Sequence, residues 1–332
     1  MGSGRARPRA GAGAGPGGAA IRSRGSSTSR AEHDDPARRR HRHRRDRLRR
    51  PAARAVPAEP PHDAGPGPGD EALPRHAAAA KIGPAPNISV VYPASSRPED
   101  VLAASDYNAI RNWLYLDMAA YGTYNPTAWA WMTEKGIAPE LAEGDLETLS
   151  AARADFVAIN YYTTATVAAP LDNGEVTFEG GDQQLAVGEP GVFRAVSNPN
   201  LATTEFGWEI DAIGFRTTLR DVYDRYRLPV MVTENGLGGY DTVENGEIHD
   251  GYRIDYLAEH VEQMRLAVTD GVDVIGYHPW SAMDLISTHQ GVAKRYGFIY
   301  VDRDEFDLKE LRRIRKDSFF WYQQLIKSNG ES

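Results

Sequence analysis

The sequence predicts an α/β fold built on parallel strands, and two observations predict it. From Lys81 onward, short β-branched and aromatic runs alternate with longer amphipathic stretches, the texture of βα units. The chain has 332 residues, 41% of them apolar, enough for one large α/β domain or two smaller ones. It has no cysteine, which removes disulfide frameworks, thiolate metal sites and a cysteine nucleophile. Strands separated by helices require right-handed crossovers between parallel neighbours, a requirement that a barrel and a doubly wound sheet both meet.

The elements follow in order. Lys81 to Ala85 (KIGPA) reads as a short strand, followed by a Pro/Asn/Ser loop to Pro98. Val101 to Tyr121 has helical spacing, with Val101, Ile110, Leu114 and Met118 expected to face inward. DFVAINY, Asp155 to Tyr161, is a β-branched and aromatic strand. A polar, glycine-bearing loop is expected from about Ala168 to Leu201. Arg216 to Arg227 is a helix stopped by Pro229, and Val230 to Thr233 is a buried strand that delivers Glu234, Asn235 and Gly236. Ile254 to Val268 is an amphipathic helix carrying Leu257, Val261 and Met264 on one side. Val274 to Tyr277 is a further strand, and Leu311 to Lys327 is a last helix closed by Gly330.

The net charge of −8 averages two unlike pieces. Up to Arg54 there are 16 Arg against four acids, a net of +12, and the rest carries −20. Residues 1–80 are rich in Arg, Gly, Ala and Pro, a composition that cannot bury enough apolar surface to offset chain entropy. They are expected to form a disordered leader, with residues 81–332 as the folded part. Nucleic-acid binding through counterion release is confined to that leader, and an organelle presequence or a translation-frame change near Lys81 are other readings of it. No apolar run is long enough for a membrane helix and no hydrophobic signal core follows the N-terminus, so a cytoplasmic location without membrane partners is the expectation.

Four groups of residues carry chemistry. LPVMVTENG (228–236) brings the carboxylate of Glu234 to the C-terminal end of a strand, where parallel α/β enzymes hold catalytic groups. The tripeptide alone means little, since Glu244-Asn245-Gly246 repeats it in what reads as a surface turn. Asn160 and Tyr162 end the preceding strand at the same rim, and a phenol can hold a carboxylate ionised and oriented. Trp280, just past the strand Val274 to Tyr277, offers an indole face for a sugar ring. LISTHQGVAKRYG supplies Ser287, Thr288, Lys294 and Tyr296, hydroxyls and an ammonium suited to phosphate oxygens. No acid lies between Asp284 and Asp302 to repel such an anion.

Together KIGPAPNIS, DFVAINYYT, TEFGWEID, VTENG, GYHPWS and KRYGFIYVDRD resemble glycoside hydrolase family 1, of the 6-phospho-β-glucosidase type, from about Lys81 to Gly330. The resemblance implies a (β/α)₈ barrel of which this chain holds about strands five to eight, so a partial barrel with two open sheet edges and a tendency to self-associate. It implies that Glu234 is the nucleophile and that Tyr162 orients it. Asn160 and Trp280 would bind the sugar, and Ser287 or Thr288, Lys294 and Tyr296 its 6-phosphate. Thr288, where phospho-β-galactosidases of the family tend to have Trp, favours glucosides. No cofactor or metal is implied, and the partner is a small phosphorylated β-glucoside. The family's Asn-Glu acid/base segment at strand four has no counterpart, since no Asn-Glu dipeptide occurs in the sequence. Impaired hydrolysis is therefore expected, with a non-catalytic sugar-phosphate binder as the alternative.

Overall fold

The structure is a computed structural model describing residues 80–172, 188–288 and 290–330, all within the unit Ala58–Ser332. Its first part comprises β1 (Val91–Pro93), α1 (Pro98–Tyr107), a π-helical stretch (Asn108–Trp113), α2 (Leu114–Tyr121), α3 (Pro126–Glu134) and α4 (Asp145–Ala151). There follow β2 (Val157–Tyr161), β3 (Ala165–Ala168), β4 (Arg194–Ala195), α5 (Ala212–Tyr226) and β5 (Val230–Asn235). The last part is α6 (Gly251–Thr269), β6 (Val274–Pro279), β7 (Ile299–Val301), β8 (Arg313–Arg315) and α7 (Asp317–Lys327).

The strands β2, β5 and β6 form a parallel sheet in that order, joined by α5 and α6. Val157, Ile159, Val230 and Val232 are fully buried and meet Phe215, Leu219 and Val222 of α5, whose spacing puts them on one face. Each such side chain contributes roughly 1.5–3 kcal/mol on burial. Asp211 caps α5 by accepting from the Gly214 amide at 2.7 Å, and Arg227 ends it in the left-handed region, φ 55°. A second sheet, β1–β3–β4, and a β7–β8 hairpin complete the strands; among the described residues they close no barrel.

Several sequence expectations need correction. KIGPA is extended but is not a ladder strand: the carbonyls of Ile82, Pro84 and Pro86 accept from the amides of Asp155, Ala158 and Asn160. The two prolines cannot donate back, so the pairing runs one way until the Ile88 amide donates to the Asn160 carbonyl at 3.0 Å. This segment nonetheless covers the outer edge of β2, one of the two edges expected to be open. The loop expected to run to Pro98 contains β1, too short to show a period. Val101 is exposed, because α1 starts earlier, at Pro98, and buries Asp100, Ala103, Ala104 and Tyr107. Asp100 is tolerated inside because it accepts from Ser95 Oγ and the Ala169 amide.

The last helix starts at Asp317, not Leu311. Lys316 ahead of it is wholly buried, its ammonium held by Asp241 and Asp284, and Arg313–Arg315 pair as β8 instead. The long loop contains β4, and its residues 173–187 lie outside the described ones, as do residues 1–79 of the expected leader. Among the described residues no helix is long and apolar enough to cross a membrane.

Candidate active site

Glu234 stands at the C-terminal end of β5, half-buried, with Asn160 of β2 as its partner in the strand register. The Tyr162 hydroxyl donates to Glu234 Oε2 at 2.6 Å. Burial, and after it the bond to Glu234, pushes the Tyr162 phenol far above its ordinary pKa. It therefore keeps its proton and remains a donor to the carboxylate at any physiological pH. Asn160 accepts from Thr233 Oγ1 at 2.7 Å, which fixes its amide at the same rim.

The two residues after Glu234 hold it in place. Asn235 is fully buried; its amide donates to the Tyr161 carbonyl at 2.9 Å and the Tyr256 hydroxyl at 3.1 Å, and accepts from Tyr277 at 2.8 Å. Gly236 admits no side chain: a Cβ there would lie 2.1 Å from the Trp280 carbonyl oxygen. The Trp280 amide in turn donates to the Asn235 carbonyl at 2.8 Å, so the turns after β5 and β6 are tied together.

Lys294 is 1% exposed, and its ammonium lies 3.3 Å from the centre of the Trp208 ring, with Phe206 at 4.8 Å and Tyr296 at 5.6 Å. Cation–π attraction supports a buried ammonium there. Tyr162 meets Trp208 edge-on at 5.6 Å and Tyr296 at 6.1 Å, and Trp280 packs against the three. Glu234, Tyr162, Trp280, Tyr296 and Lys294 thus share one contiguous neighbourhood. Trp208 and Phe206 escaped sequence reasoning as site residues, although both stand in TEFGWEID, where two aromatics flank a glycine of positive φ.

Ser287 and Thr288 belong to a separate turn. The Ser287 amide and carbonyl bond to Gly291, its hydroxyl donates to Gln290 Oε1 at 3.1 Å, and Thr288 is exposed. The acids near this segment are engaged. Asp284 accepts from Arg295 at 2.9 Å and Lys316 at 2.8 Å, and Glu305, distant in sequence, accepts from the Val292 amide at 2.7 Å.

Beside Asn160 and Tyr162 opens a cavity of about 340 Å³, also lined by Asn87, Arg111, Asn112 and Trp131. Its amides, guanidinium and rings suit a polyhydroxyl ligand. Among the described residues no group of His, Asp and Glu is arranged to hold a metal ion. A carboxylate held by a protonated phenol, beside an indole face and a buried ammonium, can bind an anionic sugar and attack an electrophilic carbon.

This chain belongs to glycosyl hydrolase family 1, whose family model matches residues 69–331. It is 48% identical over 258 residues to aryl-phospho-beta-D-glucosidase BglC of Bacillus subtilis (strain 168), covering 76% of this chain and 54% of that protein. It is 40% identical over 242 residues to 6-phospho-beta-glucosidase AscB of Escherichia coli (strain K12), covering 72% and 48%. The family 1 β-glucosidase from Thermotoga maritima superposes with a TM-score of 0.67 at 30% identity, over 79% of this chain and 54% of that one. The chain spans about half the length of the relatives it matches.

Proposed function

We propose that this chain carries the nucleophile and phosphate-binding half of a retaining 6-phospho-β-glucosidase site. Glu234 attacks the anomeric carbon and forms a glycosyl ester as the bond to the leaving oxygen breaks; water then cleaves the ester. Tyr162 holds the carboxylate ionised and aimed, Trp280 stacks on the ring, and Asn160 bonds a sugar hydroxyl. Lys294 and Tyr296 take the 6-phosphate, with Ser287 or Thr288 as a further hydroxyl donor. No cofactor takes part. Remote binding of the phosphate positions the ring for attack.

The observation that carries this reading is the 2.6 Å bond from Tyr162 to Glu234 in the same cluster as Lys294, Tyr296 and Trp280. The names of the relatives, phospho-β-glucosidases at 40–48% identity, support the substrate class. Retaining hydrolysis also needs a second carboxyl, about 5–5.5 Å from the first, to protonate the leaving oxygen. With no Asn-Glu dipeptide in the sequence to supply it, the chain by itself should depend steeply on leaving-group acidity.

The test is a series of aryl 6-phospho-β-glucosides from dinitrophenyl to unsubstituted phenyl. We expect slow turnover of the first and at least about 100-fold less of the last, the contribution typical of a general acid. Equal rates across the series would contradict the impairment. The same missing dipeptide favours a second reading, a sugar-phosphate binder without turnover. That reading requires glucose 6-phosphate binding that Lys294→Ala abolishes and no release of any phenol.

A further inference from the structure

Behind the cluster lies a buried, charge-balanced network of three bases and three acids. Arg253, Lys316 and Arg295 alternate with Asp250, Asp241 and Asp284, with the side chains 7% exposed or less. Its links are Arg253 to Asp250 at 2.8 Å and to Asp241 at 3.0 Å, and Lys316 to Asp284 at 2.8 Å, with Lys316 also bonded to Asp241. A network so placed is expensive to bury, and its geometry suggests what it is kept for.

Arg253 is the member that reaches both halves of the site. Its Nη1 donates to the Leu237 carbonyl, in the turn that follows Glu234, and at 3.1 Å to the Arg295 carbonyl, between Lys294 and Tyr296. The same two segments bond directly, Gly239 and Arg295 exchanging amide-to-carbonyl bonds at 3.0 Å in each direction. They approach so closely that a Cβ on Gly238 would lie 2.7 Å from Lys294 Cγ and 2.8 Å from Tyr296 Cζ. One guanidinium therefore grips the backbone on the carboxylate side and on the ammonium side. Its remaining donors are anchored by Asp250, Asp241 and the Tyr252 hydroxyl.

We propose that Arg253 is a positioning residue that sets the separation between Glu234 and the Lys294–Tyr296 pair, and so the span from anomeric carbon to 6-phosphate that the site accepts. The clamp rests on the phospho-β-glucoside reading for its ligand, but not for its existence. A lysine at 253 keeps the charge yet, having a single donor head, cannot bond two carbonyls and two carboxylates at once. With the two half-sites out of step, each half of the ligand still finds its partner and the linked ligand gains less from having both.

The experiment uses the full chain and Arg253→Lys, with amide hydrogen exchange and with calorimetry on glucose 6-phosphate and inorganic phosphate. We expect amides at 237–240 and 294–297 to exchange at least tenfold faster while β2 and β5 keep their protection. Glucose 6-phosphate affinity should fall at least tenfold and that of inorganic phosphate less than twofold. Unchanged exchange in either segment overturns the clamp whatever the binding shows. Equal losses for both ligands, with protection lost throughout, reduce Arg253 to a fold residue and overturn it too. If wild type and Lys294→Ala bind glucose 6-phosphate alike, the phosphate reading fails and exchange alone decides the clamp. Should Arg253→Lys not fold, Asp241→Asn loosens the same guanidinium while leaving Glu234, Lys294 and Tyr296 untouched, and must reproduce both the exchange and the glucose 6-phosphate losses.

Discussion

The sequence writes Glu-Asn-Gly twice, at 234–236 and at 244–246, and the two copies end in opposite environments. In the first, Asn235 is fully buried and takes part in three side-chain hydrogen bonds, and Gly236 is pressed against the Trp280 carbonyl. In the second, all three residues are exposed; Asn245 at φ 53° and Gly246 at φ 90° make a tight surface turn closed between Glu244 and Glu247. Glycine is required at 236 for lack of space and at 246 for its backbone angle. The chemistry of the first copy comes from what β2, α6 and β6 bring to it, not from the tripeptide.

That contrast can be broken most sharply with alanine at each glycine. Gly236→Ala places a methyl on the Trp280 carbonyl and should destabilise by about 3 kcal/mol, the upper range for overpacking. Gly246→Ala meets no neighbour and should cost only about 1 kcal/mol, the left-handed penalty. Urea denaturation of both variants checks the ranking, and equal costs would mean the first turn is no more constrained than the second.

An effect that emerges only as the pH falls separates two histidines. His260 lies buried beneath the first copy, stacked on Tyr256, and burial lowers its pKa to about 4. Below pH 6.5 the unfolded chain takes up this proton before the folded one does. Its contribution is thus complete above about pH 6.5 and is lost as pH falls toward 4, up to ~3 kcal/mol. His249, exposed near the second copy, is raised instead, by its bond to Asp317 first and that residue's charge next. Its small contribution is complete below the unfolded value and disappears as pH rises through the raised one. Stability measured against pH should therefore lose part of its acid slope in His260→Phe and keep it in His249→Ala; the reverse would contradict this assignment.

Much of the first copy was legible in the sequence. An apolar run ending in an acid locates Glu234, and a strand-end Asn-Tyr-Tyr locates its phenol, because both signals are local and have the period of a strand. The supports were not legible. Tyr256 and Tyr277 look like core residues until their hydroxyls meet Asn235, and Lys316 reads as the middle of a helix until two distant acids bury it. Trp208 sits in a loop whose path depends on contacts with Thr163 and Thr164, which no periodicity records. The grouping of Ser287 with Lys294 and Tyr296 rests on the family resemblance, and the contacts that hold each, Gln290 for Ser287 and the Trp208 ring for Lys294, carry no signature in the sequence.

The central claim is that Glu234, and not Glu244, is the nucleophile. A 2-deoxy-2-fluoro-β-glucoside 6-phosphate with a dinitrophenyl leaving group needs no acid to depart and traps the glycosyl ester. Peptide mass spectrometry after incubation should find the added fluorosugar phosphate on Glu234 and none in Glu234→Gln. A label on any other residue, or an unlabelled chain that still binds glucose 6-phosphate, would contradict the account.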